Sequence, residues 1–261
     1  MDVWWTSAWA ETALWQLAVA GAAAFAGGFL RGFVGFGGAL VSILVISLLI
    51  GPRAAVAIAA LSGLPAMVQL LPAAIRHAER RFVVPFALAT FVAAPLGTLV
   101  LVALDPALMK MAIAAFVLLM VTMLWRGWRL PAGAGTVGTA AAGVAAGFIQ
   151  GSAGVGGPPA VAVALARPGT AERQRANTIG AVSGLNLCAL APLWFFGLFT
   201  PQVLLFTAVV TPLYSLGTWQ GSRYFTRGGE RHFRIAALAL LAAIGLVTLA
   251  IAATDYVSSR P

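Results

Sequence analysis

Charged residues are scarce in this sequence. Asp, Glu, Lys and Arg together make up 9% of the 261 residues, whereas about 25% is usual in soluble domains. So few charges cannot cover a surface that faces water. Hydrophobic residues make up 61%, and several apolar runs approach the roughly 20 residues that a membrane-spanning helix needs. The composition therefore excludes an ordinary soluble domain and predicts an integral membrane protein surrounded by a lipid bilayer.

The residues that usually carry chemistry are also few. The single cysteine, Cys188, lies in an apolar run, so no disulfide or cysteine metal cluster can form within one chain. The two histidines, His77 and His232, stand beside arginines, and no Asp or Glu is evident within an apolar run. No catalytic constellation can be assembled from this set. The sequence predicts no enzyme, no metal site and no cofactor, and it disfavours a proton relay or sodium site built on carboxylates.

Basic residues are the one charge type in excess, with a net charge of +9. In a soluble chain this would suggest a nucleic-acid partner, but here the arginines flank the apolar runs. Twelve of the 16 basic residues lie in four segments, at 76–81, 126–133, 167–175 and 223–234. Because basic residues concentrate in cytoplasmic loops, we expect these four loops in the cytoplasm and no nucleic-acid partner.

A glycine motif occurs twice. Residues 27–39 (GGFLRGFVGFGGA) and 146–158 (AGFIQGSAGVGGP) both fit G-F-x-x-G-x-x-G-x-G-G. Two further matches follow in order, S-G at 62–63 and 183–184, and L-G-T at 96–98 and 216–218. All three matches are separated by about 120 residues. The sequence therefore predicts a duplication, with halves at 1–130 and 131–261.

Each half contains five apolar segments. They lie near 12–31, 33–50, 53–75, 82–104 and 107–126, and near 134–150, 152–166, 173–197, 201–224 and 232–254. Because five is odd, the second half enters the membrane from the opposite side. We expect an all-α, polytopic transmembrane bundle of two inverted-topology repeats with glycine-rich broken or re-entrant helices. The first two segments of each half either span fully or form a re-entrant hairpin, which gives eight to ten membrane segments.

The glycine motifs predict a break in the membrane helices, at Gly32–Gly38 and at Gly151–Gly157. Irregular backbone within a membrane is tolerated where it lines a cavity or is buried in protein. Prolines follow the second motif, which predicts that a helix begins near Gly157 and, by symmetry, another near Gly38. Helix N-termini attract anions, so two of them meeting would form an anion site. The alternative is that the glycines allow close helix packing.

Arg31 is a charge inside the first motif. An arginine within a span is costly unless it is paired, and no acid is available in the same segment. The counter-ion is then expected to be the transported anion. The alternative is an arginine that reaches a surface or caps helix carbonyls. Its repeat partner is the neutral Gln150.

Other polar residues accompany these motifs. Asn177, Ser183 and Asn186 follow helical spacing and are expected to share a face along the pathway, although hydrogen bonds between helices would also explain them. The predicted substrate-binding residues are Arg31, Gly35, Gly37, Gly38, Gln150, Ser152, Gly154, Gly156, Gly157, Asn177, Ser183 and Asn186.

The duplicated G-x-x-G-x-G-G, the S-G and L-G-T matches and the length near 260 residues resemble one family, the sulfite and organosulfonate exporters called TauE/SafE. The resemblance covers nearly the whole chain. Ala39 and Pro158 stand where a common family form has a third glycine. The resemblance implies transport of a sulfur-containing anion, such as sulfite, sulfoacetate or a related C2 organosulfonate, across the bacterial inner membrane. It leaves the direction open, since the family is associated with both export and uptake.

The sequence therefore predicts a carrier that moves a small sulfur-containing anion by alternating access. Two alternatives remain, a passive anion channel and a membrane scaffold or assembly protein that transports nothing. The expected partners are the small anionic substrate and the lipid bilayer, and a homodimer is one assembly that the sequence allows.

Overall fold

The computed structural model of the chain describes residues 13–34, 37–126, 135–224, 242–243 and 245–254, and within these ranges the ordered elements are helices and no strand occurs. The helices are α1 (Leu14–Val34), α2 (Gly38–Ile50), α3 (Pro52–His77), α4 (Arg80–Ala103), α5 (Pro106–Trp125), α6 (Thr136–Ala153), α7 (Gly157–Ala166), α8 (Ala171–Phe195), α9 (Pro201–Tyr224) and α10 (Gly245–Thr254). The predicted all-helical class is confirmed.

Six helices are long and apolar enough to cross a membrane. The candidate spans are Leu14–Gly32, Pro52–Pro72, Arg80–Ala103, Pro106–Met123, Glu172–Phe195 and Pro201–Arg223. Each carries at least 18 residues with few charges, which is the length that the hydrocarbon core requires. The protein is therefore a multi-pass membrane protein.

The second helix of each half is short. Helix α2 has 13 residues and α7 has 10. At 1.5 Å per residue they extend about 20 Å and about 15 Å, less than the hydrocarbon core of about 30 Å. Neither can cross a membrane alone, so the predicted segments 33–50 and 152–166 are partial spans.

Apolar packing fixes both short helices. Ile43 and Leu44 of α2 are fully buried in one large apolar cluster with α1, α3, α5 and α9. Ala160 and Ala164 of α7 are fully buried in a second cluster with Phe82, Phe86 and other residues of α4, α6 and α8. Each short helix is therefore held in place by apolar packing against several longer helices.

The most extensive helix contacts are those of α1 with α9 and of α4 with α6, and each joins the two predicted halves. Gly28 and Gly32 of α1 lie directly against the carbonyl oxygens of Tyr214 and Thr218. Where α6 packs against α4, a Cβ at Gly147 would lie 2.6 Å from the Cα of Thr90. These positions therefore leave no room for a side chain.

The glycine motif consequently has two structural roles. Helix α1 continues through Gly32 to Val34, and α6 continues through Gly151 to Ala153. The prediction that the breaks begin at Gly32 and Gly151 was wrong, because the first two glycines of each motif lie inside helices and serve close packing. In the second motif the break lies between Ala153 and Gly157, and in the first motif α2 begins at Gly38.

An ion pair joins the α3–α4 loop to the loop that follows α7. The Arg167 guanidinium donates to both carboxylate oxygens of Glu79, at 2.9 Å and 2.7 Å, and stacks 5.2 Å from the centroid of the Phe82 ring. The Asn177 side-chain oxygen accepts a hydrogen bond from the Glu79 N–H at 2.7 Å. The hydrogen bonds from Arg167 hold the pKa of the Glu79 carboxyl below its usual value. Two arginine-rich loops from different halves are thereby tied together.

Gly151→Ala is expected to destabilise the protein by about 1–3 kcal/mol, the usual cost of overpacking. Its Cβ would lie 2.9 Å from the Thr98 backbone nitrogen and against the Ala94 carbonyl oxygen. The measurement is the thermal midpoint of purified protein in detergent. Gly135→Ala is the control, because a Cβ there has nothing within 4 Å. Equal midpoints for the two variants would contradict the packing role.

Glu79→Gln is expected to lower stability at neutral pH by roughly 0.5–1 kcal/mol, a small value because the Glu79 and Arg167 side chains are 33% and 24% exposed. Since the folded-state pKa is lowered, the contribution of the pair is present above the unfolded-state pKa of glutamate. It is lost as the pH falls through the lowered value. Thermal midpoints against pH should therefore converge for wild type and variant on acidification. A constant difference at every pH would argue against the ion pair as the cause.

Candidate functional site

Two helix breaks form the centre of the structure. Gly37, with φ of 89°, directly precedes α2, and Gly154, with φ of 71°, ends α6. Both angles lie in the left-handed region that glycine adopts readily. Helix α2 begins at Gly38 and α7 at Gly157, so the predicted helix starts are confirmed. Pro158 stands in the first turn of α7, where a missing N–H costs little.

A small cavity lies between the two breaks. Its volume is about 30 Å³, while a single water needs roughly 10–15 Å³ by the same measure. The cavity is lined by Arg31, Gly37, Gly38, Ala39, Leu40, Gln150, Gly154, Val155, Gly157, Pro158, Val182, Leu185 and Asn186. It thus brings both glycine motifs together with α8, in a space that suits a ligand of a few heavy atoms.

Arg31 is buried beside the cavity in the last turn of α1. Its side chain is 5% exposed, and its Nε has no hydrogen-bond partner. Within the part of the chain that the structure describes, no carboxylate pairs with it and no helix carbonyl accepts from it. The alternative of an arginine that reaches a surface does not fit this burial. A buried cation without a counter-ion is costly, which points to an anionic ligand.

Asn186 lies on the opposite wall and is 7% exposed. Its Nδ2 is also buried without a hydrogen-bond partner. Buried donors are nearly always paired in proteins, so unpaired ones call for an explanation. Two unpaired donors, Nε of Arg31 and Nδ2 of Asn186, therefore belong to side chains that line one cavity.

Gly63 keeps the space between these two side chains open. A Cβ at this position would lie 3.3 Å from Oδ1 of Asn186 and 3.5 Å from Nη1 of Arg31. Gly63 is absent from the predicted site, although its S-G dipeptide is one of the repeat matches. The repeat was the only available signal, because the proximity of Gly63 to Arg31 depends on how α3 packs.

Gln150, the repeat partner of Arg31, has a different role. Its Oε1 accepts a hydrogen bond from the Gly156 N–H at 3.0 Å and so satisfies a donor at the start of α7. Arg31 has no acceptor atom, and no side chain caps the start of α2. The first N–H groups of a helix have no partner within it. Among the described residues, the N–H groups of Gly38 and Ala39 at the start of α2 have no partner.

Four further predicted residues, Ser152, Gly156, Asn177 and Ser183, lie outside the cavity lining. Ser152 donates to the Phe148 carbonyl at 2.9 Å, and Asn177 accepts from Glu79 in the loop contact. Ser183 is buried one turn before Asn186, with an unpaired hydroxyl. Gly156 stands in the break and is held by Gln150, and Gly35 falls outside the described residues.

The side chains around the cavity are those of one cation and several hydrogen-bond donors. Among its described lining residues there is no Asp, Glu or His. In the ranges that the structure describes, no group of three or more His, Cys, Asp or Glu side chains could hold a metal ion. The arrangement can bind a small anion by charge and hydrogen bonds, and it offers no nucleophile or general base.

Comparison with known protein families matches residues 20–248 to the family described as "Sulfite exporter TauE/SafE". Comparison with curated proteins and with solved structures finds no match. The members of this family are transporters and not enzymes. Because the match covers most of its length, this multi-pass membrane chain belongs to the sulfite exporter TauE/SafE family.

Proposed function

We propose that the protein carries a small sulfur-containing anion, such as sulfite or a small organosulfonate, across the bacterial inner membrane by alternating access. The observation that carries this proposal is the buried guanidinium of Arg31, whose Nε has no partner. It stands beside the uncapped start of α2, in a cavity that includes both glycine motifs. Family membership supplies the class of anion.

The proposed architecture is a pair of inverted repeats. The offset of about 120 residues relates α1 to α6 and α4 to α9, and the contact of α1 with α9 then corresponds to that of α6 with α4. The contacts of α8 with α4 and of α3 with α9 correspond in the same way. This exchange of partners is what a two-fold relation between the halves would produce, and inverted repeats are a recurrent plan of secondary transporters.

In the proposed topology, two re-entrant hairpins enter from opposite faces of the membrane. The arginine-rich loops are placed in the cytoplasm. The hairpin of α1 and α2 then enters from outside, and the hairpin of α6 and α7 enters from the cytoplasm. Their tips are the two breaks, and the cavity lies where the tips meet. A site between two repeats is the position that alternating access requires.

The first test is anion binding to purified protein, measured as a rise in thermal midpoint. A ligand that binds the folded state stabilises it by about 2.7 kcal/mol at 100 times its Kd. Sulfite is expected to raise the midpoint, while acetate is not, and Arg31→Ala should abolish the rise. Thiosulfate and sulfoacetate, which carry two negative charges, test whether the site also takes dianions. Taurine, which is zwitterionic, tests whether net charge is needed.

Arg53→Ala is the matched control for this test. The Arg53 guanidinium donates to the carbonyl oxygens of Leu101, Val102 and Leu104 at the end of α4. Its loss should lower the starting midpoint and leave the anion-induced rise intact. An equal rise in wild type and Arg31→Ala would contradict the proposed site. Saturating counter-exchange in proteoliposomes separates a carrier from a channel, and a scaffold would show neither flux nor sensitivity to Arg31.

Gly63 supplies a second prediction, because any side chain there enters the space between Arg31 and Asn186. Gly63→Ala is expected to weaken anion binding several-fold, and Gly63→Val to abolish it, as measured by titration calorimetry. Gly184→Ala, on the helix that carries Asn186, is the control, since its Cβ would contact Ala87 at 3.1 Å and would reach neither Arg31 nor Asn186. Unchanged affinity in Gly63→Val would show that the anion binds elsewhere.

A further inference from the structure

We infer that the site selects singly charged oxyanions over doubly charged ones, and that the neutral side chain of Gln150 sets this preference. The inference rests on the proposed function, because it concerns the charge of the anion that the same cavity takes. Three observations support it. They are the number of charged side chains around the cavity, the opposite partial charges of the two helix ends at each break, and the hydrogen bond that fixes Gln150.

Among the described residues that line the cavity, Arg31 is the only Asp, Glu, Lys, Arg or His. It is also the only charged residue of α1, and α2, α6 and α7 contain no Asp, Glu, Lys, Arg or His. The charged residues of α3 and α8 stand near the ends of those helices, whereas Gly63 and Asn186 stand near the middle. On α9, the Tyr214 hydroxyl lies next to Gly38.

The helix ends add little net charge. A helix N-terminus carries about +0.5 of a charge and a C-terminus about −0.5. At each break one helix ends and another begins within a few residues, α1 before α2 and α6 before α7. These two partial charges have opposite signs and largely cancel. The net charge of the site is therefore set by Arg31, while the helix N-termini still offer N–H donors to a ligand.

The net charge of the site therefore favours a ligand with one negative charge. In a buried site of low dielectric, an unpaired charge is strongly disfavoured. A monoanion neutralises Arg31, while a dianion leaves one negative charge without a partner. A second cation could remove this difference, and the repeat partner of Arg31 is where symmetry would place it.

That position is held by Gln150. Its Oε1 accepts from the Gly156 N–H, so the side chain satisfies the start of α7 while remaining neutral in the cavity wall. A glutamate would keep the acceptor oxygen for Gly156 and would add a negative charge opposite Arg31. Gln150→Glu therefore changes the charge of the site while preserving the hydrogen bond that holds the break.

The test compares methanesulfonate with sulfate by titration calorimetry at neutral pH. Both are tetrahedral sulfur oxyanions with the same number of heavy atoms, and they carry one and two negative charges. Wild-type protein is expected to bind methanesulfonate at least tenfold more tightly than sulfate. Arg31→Ala, measured in parallel, provides the baseline for weak surface binding of either ion.

Gln150→Glu is expected to reduce methanesulfonate binding to the Arg31→Ala baseline, with little change in thermal midpoint. Gln150→Met, which is neutral and lacks the acceptor, should lose stability and still prefer the monoanion. This pair separates the charge of residue 150 from its hydrogen bond.

The outcomes distinguish the inference from the function on which it rests. Sulfate binding as tight as that of methanesulfonate, or wild-type affinity in Gln150→Glu, would overturn monoanion selection, while sulfite binding through Arg31 would leave the proposed function standing. If neither these two anions nor sulfite bound above the Arg31→Ala baseline, the anion site itself would be refuted.

Discussion

The structure depends on one buried charge. Arg31 lies inside an apolar bundle, and its Nε has no partner. A chain that folds in lipid tolerates such a charge when surrounding groups or a ligand compensate for it. Here the nearby groups are hydrogen-bond donors, namely the Asn186 side-chain amide and the backbone N–H groups in the first turn of α2. Such donors would repel a second cation and attract an anion. The apolar clusters around α2 and α7 matter for the same reason, because they hold those donors in place while no ligand is bound.

Close packing makes this placement precise. Gly28 and Gly32 bring α1 against the backbone of α9, and Gly147 and Gly151 bring α6 against α4. In a bilayer the hydrophobic effect does not drive helices together, so van der Waals contact between small residues takes its place. The same motif then opens the backbone one turn later. A single run of glycines therefore both packs a helix closely into the bundle and precedes the end of that helix by a few residues.

Much of this arrangement could be predicted from sequence, and the failures share a physical cause. The helical class and the helix starts at Gly38 and Gly157 follow from composition and from the prolines after the second motif. The alignment of the two glycine motifs places Gln150 at the position that corresponds to Arg31. The packing role of Gly32, the loop contact of Asn177 and the position of Gly63 depend on which residues of distant helices lie opposite them. Such neighbours are set by tertiary packing, and a single sequence carries no direct record of them.

The lone charge of Arg31 also bears on how membrane voltage acts on the proposed cycle. Moving one elementary charge through a potential of 100 mV changes the free energy by about 2.3 kcal/mol. With a monoanion bound, the site is neutral and its reorientation is nearly independent of voltage. The empty site carries one positive charge, so an inside-negative potential acts on the return of the unloaded carrier. The step that the cell's membrane potential biases is thus the one in which no substrate moves.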